Sequence, residues 1–304
     1  MGGTSIAEMR VTRTVALFFG TAIAGAYPLL AGGAPDSPVA AVEAWVEALR
    51  DGDEGRMKAL LTDDAVHHPA GTYGGAPADI DGPAGILAFL MQGDLPVSEV
   101  PASVITPGSR SVLLEAVIQR SSPVVEGFET EALSAFVFHF ERSRISQVYA
   151  YSTAQALGSA CQDRCIERWL ATRSADSASL GHEAVTVARD QIEAFNERDR
   201  ARWEAAFAPS VHFHNPPYFT PKAAADDGFK YDGRWDAGHL DGQETRAFAQ
   251  VSFHYRLSEA AGWTRGDVLQ TYQVADGLIS ASLGYIWYSD TASADAIREA
   301  VGST

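Results

Sequence analysis

The feature of this 304-residue chain that most limits what it can fold into is an internal repeat. Val46-Glu47-Ala48-Leu49 returns as Ile192-Glu193-Ala194-Phe195, each on a segment whose apolar side chains recur with helical spacing. Asp53 and Asp199 follow at the same distance and open a second helical stretch, carrying Leu60-Leu61 in one copy and Ala206-Phe207 in the other. Each copy then runs through a His-rich extended segment into a proline: Val66-His67-His68-Pro69, and Val211-His212-Phe213-His214-Asn215-Pro216. Asp81-Gly82-Pro83-Ala84-Gly85-Ile86 is echoed by Asp241-Gly242-Gln243-Glu244-Thr245-Arg246. Both are expected to lead into a helix that carries a phenylalanine, Phe89 or Phe248.

The C-terminal part of each copy has strand character. Ser111 to Gln119, Ala132 to Glu141 and Ile145 to Ser152 alternate β-branched and aromatic residues with others, as do Asp267 to Ala275 and Leu278 to Ser289. Asp276-Gly277 is a strong signal for a tight turn. Helices first, then a meander of antiparallel strands, twice over, is an α+β plan. Residues 37–155 and 182–291 are expected to be the two domains, with a helical segment and linker at 156–181 and a tail at 292–304. The second copy reads as having fewer strands and an insertion over 218–240, which holds Trp235 and His239.

Composition narrows the function classes. Twenty-three basic and 39 acidic residues give a net charge of −16, which repels phosphate backbones and argues against nucleic acid as a partner. Two cysteines cannot build a disulfide scaffold or a four-cysteine zinc site, so Cys161 and Cys165 read as structural. Residues 1–36 have the form of a signal peptide or targeting segment: Arg10 and Arg13, an uncharged run from Val15 to Ala34, and Ala24-Gly25-Ala26 as a small-x-small cleavage site. The expected location is therefore periplasmic or extracellular, with no stable membrane span after processing. An uncleaved anchor is the alternative. No Walker loop, dinucleotide glycine fingerprint, HExxH or GxSxG occurs, and no cofactor is expected.

Each copy resembles the nuclear transport factor 2-like (NTF2-like) superfamily, in particular its SnoaL-like branch of polyketide cyclases and ketosteroid isomerase. The likeness is carried by a helix leading into Leu60-Leu61-Thr62-Asp63-Asp64-Ala65-Val66, a polar residue before proline, then glycine and an apolar helix. It covers residues 37–155 and, more loosely, 182–290. The resemblance implies two cone-shaped, helix-plus-curved-antiparallel-sheet (NTF2-like/cystatin-like) domains in tandem, each enclosing a pocket. In the isomerase branch a carboxylate base stands just before the proline. Here His68 and Asn215 take that place, which speaks against steroid isomerisation.

The chemistry-bearing candidates follow from these positions. His67 and His68 are adjacent on an extended segment and face opposite sides, so one should enter the cavity. A histidine there suits acid–base work, with Asp64 or Asp81 to orient it, although Asp81 also reads as a helix cap. His212 and His214 share one face of a strand, with Asn215 beside them; they could act in acid–base chemistry or, with His239 and Asp236 or Asp241, hold zinc or iron. Trp45, Tyr73, Tyr149, Tyr218, Trp235 and Trp287 are candidates to line a pocket for a flat or apolar molecule. Two readings stay open: a small-molecule pocket with cofactor-free proton transfer (isomerase, cyclase or dehydratase type), or a non-catalytic binding or interaction module. Its assembly would be a homo-oligomer or an intramolecular pairing of the two domains.

Overall fold

The computed structural model describes residues 35–70, 78–92, 97–121, 129–152, 182–214, 217–218, 220–229, 232–258 and 262–287. The first half opens with α1 (Pro38–Asp51), which Ser37 caps by accepting from the amide of Ala40 at 3.1 Å. Gly52, at φ 65°, ends it in the left-handed region that glycine tolerates. Asp53 then caps α2 (Glu54–Leu60). There follow β1 (Leu61–His68), β2 (Ile80–Asp81), α3 (Gly82–Met91), β3 (Val97–Pro107), β4 (Ser111–Ser121), β5 (Glu129–Glu141) and β6 (Arg144–Ser152). Asp81 sits at the N-cap position of α3 without a side-chain capping bond.

The second half repeats this order element for element. It runs α4 (Glu183–Asn196), α5 (Arg200–Ala205), β7 (Phe207–His214), β8 (Pro217–Tyr218), α6 (Pro221–Gly228), β9 (Asp232–Gly242), β10 (Arg246–Ser258), β11 (Gly262–Ala275) and β12 (Leu278–Trp287). Asp199 caps α5 as Asp53 caps α2. Residues 218–240 are therefore not an insertion. They supply α6 and β9, the counterparts of α3 and β3. Nor does Asp241-Gly242 open a helix: it closes β9, and Phe248 lies on β10. Ala247 and Ala249 gave that stretch a helical look, but they alternate with Phe248 and Gln250 across a strand.

The strand order is β3-β4-β5-β6-β12-β11-β10-β9, with β1 parallel to β6 and β7 parallel to β12. Among the described residues, Ser152 and Ile286 form the ladder pair that joins the two six-stranded parts. Each part lays its helices on one face. In the first, Trp45, Leu49, Met57, Ile86 and Leu90 pack on Leu114, Phe136 and Phe138. In the second, Ile192, Phe195 and Trp203 pack on Val251, Tyr272 and Ile279.

The other faces of the two sheets pack on each other. Leu113, Val137 and Tyr151 of the first half form one buried cluster with Phe248, Leu269, Leu283 and Tyr285 of the second. Each large apolar side chain so covered contributes about 1.5–3 kcal/mol, and the described residues belong to a single compact unit. No helix among the described residues is long and apolar enough to cross a membrane.

Candidate functional site

The ladders fix which residues of the two halves are equivalent. Val148 pairs with His67 on one side and Phe138 on the other, and Ser282 pairs likewise with Phe213 and Tyr272. Two residues further along, on the same face, Ala150 pairs with Phe136 and Gly284 with Gln270. The helix repeat places Trp45 opposite Gln191. The inner faces, those under the helices, can therefore be compared position by position.

The inner face of the first half is walled by aromatic rings. Trp45 is fully buried, edge-on to Phe138 at 5.2 Å and tilted on Phe136 at 5.5 Å. His67 is the inward-facing member of its pair, also buried, with its ring 5.4 Å from Phe89. The indole nitrogen of Trp45 has no hydrogen-bond partner among the described residues.

The second half replaces that aromatic wall with polar groups. Tyr272 donates to Oε1 of Gln191 at 3.2 Å, at the positions of Phe138 and Trp45. Burial raises the pKa of this phenol far above its ordinary value, so it stays a donor. Next to it, Gln270 donates through Nε2 to the hydroxyl of Ser282, which donates to the carbonyl of Thr271 at 3.0 Å. Gln270 is only partly buried, whereas its counterpart Phe136 is 3% exposed. At the place of His67 stands Phe213, packed against Phe207 at 5.0 Å and stacked with Trp203 at 6.3 Å.

Three imidazoles, those of His68, His139 and His239, gather elsewhere, on the outer faces where the halves meet. His68 points away from the helices: its ring stacks on Tyr149 at 4.1 Å and its Nδ1 lies 2.8 Å from Oδ1 of Asp79. Its Nε2 is buried without a hydrogen-bond partner among the described residues. The edge of Tyr149 meets His139 at 5.5 Å, and His139 meets His239 of the second half at 5.0 Å. His239 Nε2 contacts the Ser111 hydroxyl at 2.7 Å, which donates to Oδ2 of Asp241 at 3.0 Å. Asp241 also accepts from the backbone amides of Ser109, Arg110 and Ser111, and so clasps the β3–β4 turn of the other half. Burial works against its charge. The amides of Ser109, Arg110 and Gly242 and the Ser111 hydroxyl outweigh that and hold its carboxyl below the usual range.

Asp64, expected to orient a histidine, is exposed on β1, and Asp79 stands beside His68 instead. Asp79 is a single aspartate in a loop, and nothing in its spacing announces the contact. His212 is exposed on β7, and strands β12, β11 and β10 lie between it and His239 on β9, so the two cannot share a metal ion. No described group of three or more His, Cys, Asp or Glu side chains is arranged to hold one. Trp235 lies 4.6 Å from Phe195, its backbone bracketed by the Asn196 amide. Tyr73, Asn215, Cys161 and Cys165 lie outside the described residues, as do the side chains of His214, Tyr218 and Trp287. The Gln191–Tyr272 and Gln270–Ser282 pairs escaped the sequence reading, although aligning the helix repeat already sets Gln191 opposite Trp45.

No family model and no curated protein matches the sequence. Solved structures to which part of the chain is similar include NTF2-like proteins. An LEH-like epoxide hydrolase from Mycobacterium tuberculosis is 12% identical, with 41% of this chain matched to 98% of that one at a TM-score of 0.34. A candidate polyketide cyclase from Xanthomonas campestris is 20% identical over 44% of this chain and 94% of its own, TM-score 0.33. An NTF2-like protein of unknown function from Cytophaga hutchinsonii is 8% identical over 37% and 93%, TM-score 0.30.

Proposed function

We propose that the second half takes up a small neutral molecule on the inner face of its sheet, while the first half is a filled scaffold that supports it. The carrying observation is the exchange of Trp45, Phe136 and Phe138 for Gln191, Gln270 and Tyr272 at equivalent positions. Those polar groups converge beside apolar and aromatic walls from Val251, Trp203 and Phe213, the composition that orients a flat apolar ligand by a few hydrogen bonds. The polar groups brought together there are neutral, so binding is favoured over proton transfer. Nile red, a flat neutral dye with carbonyl and ring acceptors, tests this by fluorescence titration. Gln270→Trp, which fills the face, is expected to weaken binding about tenfold or more, about 1.4 kcal/mol, and Trp45→Phe to leave it unchanged. Loss of binding in Trp45→Phe alone, or no saturable binding, would overturn the assignment.

A second reading, proton transfer, is favoured by one observation: the Asp79–His68 contact at 2.8 Å, which leaves a buried Nε2 lone pair or proton uncommitted among the described residues. It requires that His68→Ala and Asp79→Asn both lower turnover of an identified substrate. Export, read from residues 1–36, belongs to the same proposal, and N-terminal sequencing of protein recovered from the culture medium or periplasm tests it.

A further inference from the structure

The seam between the halves has a near two-fold symmetry that one feature breaks. Glu115 and Gln250 are equivalent on the middle strands, as are Tyr151 and Tyr285, and each pairs across the seam with the tyrosine of the other half. By the same equivalence His139 corresponds to Gln273, and His239 to Val104. Two histidines thus face each other at one end of the interface, where the other end has a glutamine and a valine.

We propose that the His139–His239 contact is a proton-operated latch, holding the two halves together while both rings are neutral and loosening this end of the seam when they take up protons. The hydrogen bonds define where the second proton must go. Gln250 donates through Nε2 to Tyr151 at 2.8 Å, leaving Oε1 to accept from His139 Nε2 at 3.3 Å. Ser111 gives its one hydroxyl proton to Asp241, so its oxygen accepts from Nε2 of His239. Both neutral rings therefore carry their proton on Nε2, and each further proton enters on Nδ1, making two cations 5.0 Å apart between ring centres.

The surrounding groups set the balance. Facing His139 are Tyr149 from β6, His239 and Asp241 from β9, Gln250 from β10, His68 from β1 and Arg110 from the β3–β4 turn. Facing His239 are His139, Asp241, with Oδ2 at 3.8 Å, Arg110, and Phe248 from β10. Burial lowers the pKa of both imidazoles below 6.5. The mutual contact lowers that of His239 further and Arg110 lowers both, with Asp241 opposing in each case and Gln250 in the first. A neutral-favouring fold binds fewer protons than the unfolded chain. The latch is therefore at full strength above about pH 6.5 and is lost as pH falls from there through the lower folded values.

The symmetry supplies its own control, because His139→Gln with His239→Val installs the residues that stand at the equivalent positions of the other end. Full-length native and doubly substituted protein are compared by thermal unfolding at about pH 7.5 and about pH 5. The native melting temperature is expected to fall more on acidification than that of the variant. Hydrogen exchange, corrected for intrinsic pH dependence, reads the seam itself. The amides of Ser109, Arg110 and Ser111, held by Asp241, should lose protection at low pH in native protein and keep it in the variant. Proton NMR of the imidazoles provides a measurement that needs no substitution. Equal acid sensitivity in both proteins, or titration of both rings at or above the ordinary histidine value, would overturn the latch.

Discussion

Glu115 and Tyr285 meet across the seam at 2.8 Å, the phenol donating to a carboxyl that is wholly buried between two sheets. Thr271 lies 3.5 Å from the same oxygen. At the equivalent place in the other half Gln250 donates to Tyr151, so one tyrosine acts as donor and the other as acceptor. The exchange of carboxyl for amide reverses the direction of the bond without changing its geometry.

Truncating Glu115 to Ala should therefore destabilise the protein by about 1–3 kcal/mol, because Tyr285 is left with a buried donor that has lost this acceptor. Glu115→Gln preserves an acceptor and should cost less. Urea denaturation compares the two, and equal losses would mean that packing rather than the hydrogen bond carries the effect.

Gly108 is a second seam position where one atom decides. A Cβ there would collide with the carboxyl group of Asp241. Gly108→Ala is expected to cost about 1–3 kcal/mol, with a smaller cost in a protein already carrying Asp241→Ala, since neighbouring substitutions are not additive. Asp241 also has a pH signature. Its folded carboxyl is held below the usual range, so its contribution is complete above the unfolded value, about 3.9, and disappears as pH falls through the folded one. The stability gap between native and Asp241→Asn protein should therefore shrink on acidification below about pH 4.

Inside the second half, Tyr272→Phe copies the first half at one position but leaves Gln191 without its tyrosine donor. The expected loss is about 1 kcal/mol. Adding Gln191→Leu should recover part of it, while weakening any ligand held through the amide. Denaturation and dye titration separate the two effects.

Arg198 takes the left-handed position that Gly52 occupies in the first half, with φ 59° against 65°. Its guanidinium lies over Phe229 at 4.9 Å and donates to the Phe229 carbonyl at 2.9 Å. Arg198→Gly exchanges about 1–2 kcal/mol of backbone strain for a contact of about 0.5–1 kcal/mol and one hydrogen bond, and should be nearly neutral. Arg198→Ala keeps the strain, loses the contact and should be less stable by about 1–2 kcal/mol. Thermal unfolding of the pair reads the difference.

Much of this architecture is legible in the chain. The repeated helix segment, the two capping aspartates Asp53 and Asp199, and the Asp276-Gly277 turn all lie where their local chemistry puts them. The strands that escaped notice have specific disguises. β3 carries Pro101 and Pro107, which an edge strand tolerates because one side of its backbone needs no partner. β10 carries alanines whose small size suits the inner face under α4. The seam is illegible for a different reason: His139 and His239 are separated by 100 positions, and only the packing of one sheet on another brings them together. His68 and Asp79 are nearer in sequence, but a loop conformation rather than a periodic pattern joins them.

The single chain has a consequence for how such an interface can diversify. When two identical subunits assemble about a two-fold axis, every substitution is written into both copies, and a histidine introduced at one end of the contact appears at the other as well. Here each end is encoded separately. Gln273 and Val104 can remain at one end while His139 and His239 stand at the matching positions of the other, and one interior can stay aromatic while the other becomes polar. Joining the copies converts symmetry from a constraint into a starting point, and it lets the two halves of one molecule diverge independently.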